Sequence, residues 1–200
     1  MARFLIVVAL ALALISPAAA GNVPNSQLDA AASAVAGKPV TVWCESRWSE
    51  WIHTGDSVEE DWSSLGGFTI LSEPIIFISP DICDTLHALL RHGDDIGSYH
   101  ASIAIHVLVH EAVHQSGIEN EGETDCKALS LDKQVALDYF GFSETETQQY
   151  VAKTVKRVKG KRVTTYAVRT RQVPSRRLAE FLSWTVAWHN AAPAEYQGNC

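Results

Sequence analysis

The five residues His110-Glu111-Ala112-Val113-His114 constrain this chain more than any other stretch. On an α-helix, side chains four positions apart stack on one face, roughly 6 Å from each other. The imidazoles of His110 and His114 can therefore converge on one tetrahedral metal ion. Glu111 points beside that metal rather than at it, where a base must sit to take a proton from a metal-bound water. The preceding residues, Ala101 to Val109, are apolar nearly all round and describe a helix buried in the middle of a domain. Two histidines and a carboxylate are costly to bury there unless something pairs with them, and a metal does so.

A metal of this kind needs a third protein ligand. The next carboxylates are Glu119, Glu121, Glu123 and Asp125. Glu121 and Asp125 stand one helical turn apart, so one can bind the metal while the other accepts the free N–H of a ligating histidine. The run His110-Glu-x-x-His114 followed by Asn120-Glu121-x-x-x-Asp125 resembles the gluzincin branch of the zincin metallopeptidases. That resemblance implies His110, His114 and Glu121 as zinc ligands, Glu111 as general base and Asp125 as the carboxylate that orients a ligand. Only six residues separate His114 from Glu121, so the chain must reverse at once, which Gly117 permits. The metzincin ligand position falls on Asn120, and with Met1 as the only methionine there is no Met-turn. Glu123 is the reserve third ligand. The wider arrangement is also similar to small secreted bacterial proteins with H-E-x-x-H-x-x-G-x-x-N/D-E and a cysteine five residues on.

Residues 1–20 read as a signal peptide, with Arg3, an apolar run from Phe4 to Ile15 and a small-residue cleavage site at Ala18-Ala19-Ala20. The expectation is cleavage near Ala20 and a single domain over 21–200, secreted to the medium or the cell envelope. In an oxidising compartment Cys44, Cys83, Cys126 and Cys200 can pair in three ways. Cys44–Cys83 and Cys126–Cys200 are the expected bridges; a Cys126 thiolate on the metal is the alternative.

The fold class expected is α+β, a mainly helical zincin-like domain with a small antiparallel sheet. Helices are expected at 26–36, from Ser79 to Arg91, from Ser98 through the motif, and from Glu121 to Phe140. Strands are expected at 40–44, 68–71 and 75–78, and one of the latter two could hold an extended substrate along its edge. Glu45 to Gly67 reads as a long polar loop containing Trp48, Trp51 and Trp62. Its Asp56, Glu59, Glu60 and Asp61 read as a solvated acidic face. His106 reads as a packed neighbour, because it and His114 lie about 12 Å apart along the helix, too far to share one ion. Ser143-x-x-Glu146 reads as a capping box opening a helix to about Lys159. Leu178, Phe181, Leu182, Thr185 and Trp188 form a helical stripe.

Charge is unevenly placed. Lys153 to Arg177 holds ten Lys or Arg and no Asp or Glu, whereas the rest of 21–200 carries five basic and 23 acidic residues. The basic segment is expected to fold onto the acidic body, or else to dock on an anionic cell-surface polymer or membrane. Overall acidity argues against nucleic acid. The function expected is a secreted zinc metallopeptidase, a hydrolase whose partners are its peptide or protein substrates, with the chain itself a monomer. A transition-state donor, Tyr or His, is expected but unassigned. The alternative is a non-catalytic exported zinc-binding or surface-binding protein on the same scaffold.

Overall fold

The computed structural model describes residues 26–45, 47–55, 66–194, 196–197 and 200. The signal peptide expected over 1–20, the acidic residues Asp56, Glu59, Glu60 and Asp61, and Trp62 lie outside these. The elements run α1 (Ser26–Ala36), β1 (Thr41–Cys44), α2 (Trp48–Gly55), β2 (Gly67–Ile70), β3 (Ile75–Ile78), α3 (Pro80–His92), α4 (Ser98–Gln115), α5 (Glu121–Tyr139), β4 (Thr145–Val158), β5 (Lys161–Pro174) and α6 (Arg176–Ala191). The α+β class stands.

Helix α4 is the axis of the core. Fourteen of its 18 residues are buried, because α1, α3, α5, α6 and the sheet all pack around it. An all-round apolar surface can be satisfied only in this way. The sheet lies along one side of it, in the order β1-β3-β2. β1 runs parallel to β3, with Val42 opposite Ile76, and β2 runs antiparallel to β3, with Phe68 opposite Phe77. Val42, Ile76 and Ile78 face the main core, while Phe68 and Phe77 stack on the other face with centroids 4.7 Å apart.

Two elements depart from the sequence reading. The stretch expected as a polar loop contains α2, whose Trp51 is fully buried against Phe68, ring centroids 5.4 Å apart. Burial of that ring on the sheet's outer face is a tertiary gain that local polarity conceals. The helix expected from Ser143 is instead the first strand of a hairpin, with β4 and β5 paired over 14 residues each. Its Thr, Val and Tyr content suits a strand, and Lys159 (φ 50°) with Gly160 (φ 76°) supplies the two left-handed residues of a tight two-residue turn. Ser143 does not cap a helix: its hydroxyl donates to the Thr145 carbonyl at 2.9 Å, a local turn that competes with helix formation.

Disulfides join Cys44 to Cys83, fixing the end of β1 to the first turn of α3, and Cys126 to Cys200, fixing the C-terminal tail to α5. Among the described residues no helix is long and apolar enough to cross a membrane.

Candidate metal centre

The reversal after α4 positions the centre. Ser116 and Gly117 close the last turn, with the Gly117 N–H donating to the His114 carbonyl at 2.9 Å. Gly117 has φ 102°, a conformation that side chains strain to reach. Asn120 then caps α5, its side chain accepting from the Glu123 N–H at 2.9 Å. The metzincin ligand position is thus a helix cap. Capping at Asn120 makes Glu121 the first helical residue, where the positive end of the helix favours a carboxylate.

Glu121 is thereby aimed at both motif histidines. His110 Nε2 lies 3.0 Å from Glu121 Oε2, His114 Nε2 lies 3.3 Å from the same oxygen, and the two Nε2 atoms are 3.1 Å apart. A tetrahedral ion with bonds of about 2.0–2.1 Å holds its ligand atoms about 3.3–3.4 Å apart. The donor triangle fits such an ion within a few tenths of an ångström and leaves one coordination position open. The histidine orientation suits it as well: His114 Nδ1 donates to the Ile118 carbonyl at 2.8 Å, which leaves the Nε2 lone pair for a metal. His110 Nδ1 lies 3.6 Å from Asp125 Oδ1.

The charges show why these groups want a cation between them. Burial pulls the His110 pKa down, but the nearby carboxylates of Asp125 and Glu121 and the charge of Glu111 carry it up to about 10. The bonds from His110 and His114 bring Glu121 down to about 2. A metal would therefore displace the proton that Glu121 and Asp125 hold on His110, which makes binding weaker in acid. Glu111 is buried beside them, and that burial raises its pKa above the usual carboxylate range, a shift that suits a group meant to carry a proton.

A second donor group adjoins the first: His106, His110 and Asp125 also lie close enough to hold an ion. His110 belongs to both groups, one nitrogen to each, so no single ion draws on His106 and His114 together. His106 lies between two carboxylates, Nε2 2.7 Å from Asp125 and Nδ1 2.7 Å from Asp132. Burial alone would lower its pKa, yet these two carboxylates raise it to about 9. Asp125 also accepts from His189 Nδ1 on α6, and despite its burial these histidine bonds hold it well below its ordinary value.

These groups open onto a cavity of about 610 Å³. Its walls include Gly67 and Thr69 of β2, Glu111, Trp188 of α6 and Tyr196 of the tail. The Tyr196 ring centroid is 6.0 Å from that of His110. β2 comes this close because it carries glycines: a Cβ on Gly66 would stand 2.9 Å from Val107 Cγ2, and one on Gly67 3.1 Å from Glu111 Cγ. Gln115, buried at the end of α4, holds the β2–β3 turn by donating to the Glu73 carbonyl at 2.7 Å and to Thr69.

Of the residues singled out from the sequence, His110, Glu111, His114, Glu121 and Asp125 come together. Glu123 points outward and is exposed, and Cys126 is in a disulfide, so neither closes the centre. Asp132, His189, Gln115 and Tyr196 were not legible as site residues. The Cys126–Cys200 bridge was the one available signal, since it draws the tail and α6 to α5.

Compared with known proteins, the chain matches no family model, no curated protein and no solved structure.

Proposed function

We propose that the chain is a zinc-dependent metallopeptidase acting in an oxidising compartment outside the cytoplasm. The observation that carries the proposal is the triangle of His110 Nε2, His114 Nε2 and Glu121 Oε2 beside a buried Glu111 and an open cavity. His110, His114 and Glu121 would hold the zinc. When bound, zinc supplies a Lewis acid that lowers the pKa of a coordinated water toward 7 and polarises a carbonyl. Glu111 takes the water proton and returns it to the leaving amine, as its raised pKa favours. Asp125, 3.6 Å from His110 Nδ1, stands where a carboxylate would orient that ring from the far side. β2 is an edge strand and lines the cavity, so an extended peptide can add to it through main-chain hydrogen bonds. Tyr196 lines the cavity with its ring centroid 6.0 Å from that of His110, and is our candidate for the donor to the oxyanion of the reacting carbonyl.

The competing reading is a non-catalytic zinc protein. Structural zinc is closed by four protein ligands, and the candidates for a fourth are engaged elsewhere: Cys126 in its disulfide, Asp125 with His106 and His189. The two disulfides support an exported location. The test is Glu111→Gln. It is expected to keep its metal and to lose at least about a hundredfold in the hydrolysis of a quenched fluorescent peptide library. Cleavage at the parent rate by Glu111→Gln would remove Glu111 as the base.

A further inference from the structure

The β4–β5 hairpin divides the basic segment. Arg176 and Arg177 belong to α6; Arg177 pairs with Asp94 at 2.9 Å and with Asp95 and so folds onto the body, while Arg176 stands 3.7 Å from Glu180 of its own helix. The other eight, from Lys153 to Arg171, stand on the hairpin. None of them forms an ion pair among the described residues. Along both strands only Ala152, Thr154 and Val173 are even half-buried. The arm joins the body at its base, where the Ser175 N–H donates to the Glu144 carbonyl at 2.9 Å. Fourteen residues of strand reach about 46 Å.

An arm of this kind is unfavourable in isolation. A two-stranded ribbon in water is marginal, and this one sets Arg157 directly opposite Arg162, where like charges repel. Its two faces also differ. Strand alternation and register put Val151, Val155, Tyr166 and Val168 on one face, with Val151 directly opposite Val168. These side chains are 65%, 40%, 67% and 68% exposed. Lys153, Arg157 and Arg162 interleave with them on the same face. The opposite face holds Lys156, Lys161, Arg169 and Arg171 with three apolar side chains that are less exposed on average, Tyr150, Val158 and Val163, at 38%, 52% and 42%; there Arg171 is bonded to Gln148 and set over the Tyr150 ring.

We infer that the hairpin is a membrane-docking arm that lays its Val151–Val155–Tyr166–Val168 face on a bilayer containing anionic lipid. Cations alone would suit any polyanion, but four exposed apolar side chains among them match the boundary between headgroups and acyl chains. Each Lys or Arg near such a surface contributes attraction that salt screens. The inference does not depend on the metal centre.

The test is co-sedimentation of the chain from Gly21, which contains every described element and omits the apolar run of residues 4–15, with large phosphatidylcholine vesicles. Binding is expected with about 30 mol % phosphatidylglycerol, not with phosphatidylcholine alone, and it should fall at least about tenfold in roughly 0.5 M salt. Replacing Lys156, Arg157, Lys159, Lys161 and Arg162 by Gln should weaken it by about a hundredfold or more. Replacing Val151, Val155, Tyr166 and Val168 by Ser should weaken it about tenfold, while unfolding of the body is unchanged in both variants. The salt series uses the unaltered protein and so does not depend on either variant folding. Failure to pellet with anionic vesicles overturns the inference. So does binding that the Ser variant retains and that soluble polyphosphate matches, which would make the arm a polyanion clamp. Lipid-independent self-association abolished by the Ser variant would instead assign the face to a second copy.

Discussion

Asp125 is the residue on which the centre turns. Fully buried, it accepts from His106 and His189 and sits 3.6 Å from the outer nitrogen of His110, so one carboxylate ties α4, α5 and α6 together at the site. His106 supplies the compensating charge, clamped between Asp125 and Asp132. A histidine held at about 9 when folded, against 6.5 ordinarily, adds stability that is fully present below pH 6.5. That stability is lost as the pH rises through about 9. In the metal-stripped protein, the urea midpoint is therefore expected to drop between about pH 6 and pH 10, and to drop less in His106→Gln. Equal drops in the two proteins would mean that another group carries the titration.

At the scale of elements, the site depends on how closely β2 approaches α4. Gly66 and Gly67 allow the contact, and Gln115 fastens the following turn. Gly66→Ala would force its Cβ against Val107, a buried residue on the same helix as Glu111. The expected cost is about 1–3 kcal/mol by chemical denaturation, with a loss of activity that metal content does not share. A stability equal to the parent's would mean that β2 can move away freely. The helices around the site were legible in the sequence because their signals are local: an all-round apolar run, a reversal glycine and an Asn cap. α2 and the hairpin were not. The burial of Trp51 depends on Phe68, some 17 residues later, and the Ser143-x-x-Glu146 pattern satisfies a cap rule while Glu146 instead accepts from the Arg176 N–H at 3.4 Å. The metal triangle was readable from spacing, whereas His189 and Asp132 were not, because only tertiary packing brings them to His106 and Asp125.

The whole molecule is an acidic body around one central helix, with a basic arm projecting from it. The Cys126–Cys200 bridge holds Tyr196 to the cavity wall and closes the side that β2 does not. Both the proposed chemistry and the proposed docking use what folding leaves exposed: an open coordination position on one side and the hairpin face on the other. The central claim is that the body holds one zinc ion. Its most direct test is elemental mass spectrometry of the folded, oxidised 21–200 chain after dialysis against a weak chelator. About one zinc per chain, reduced in His110→Ala and in Glu121→Ala, is the predicted result. A folded chain with no zinc, or one whose zinc survives both substitutions, would contradict the account.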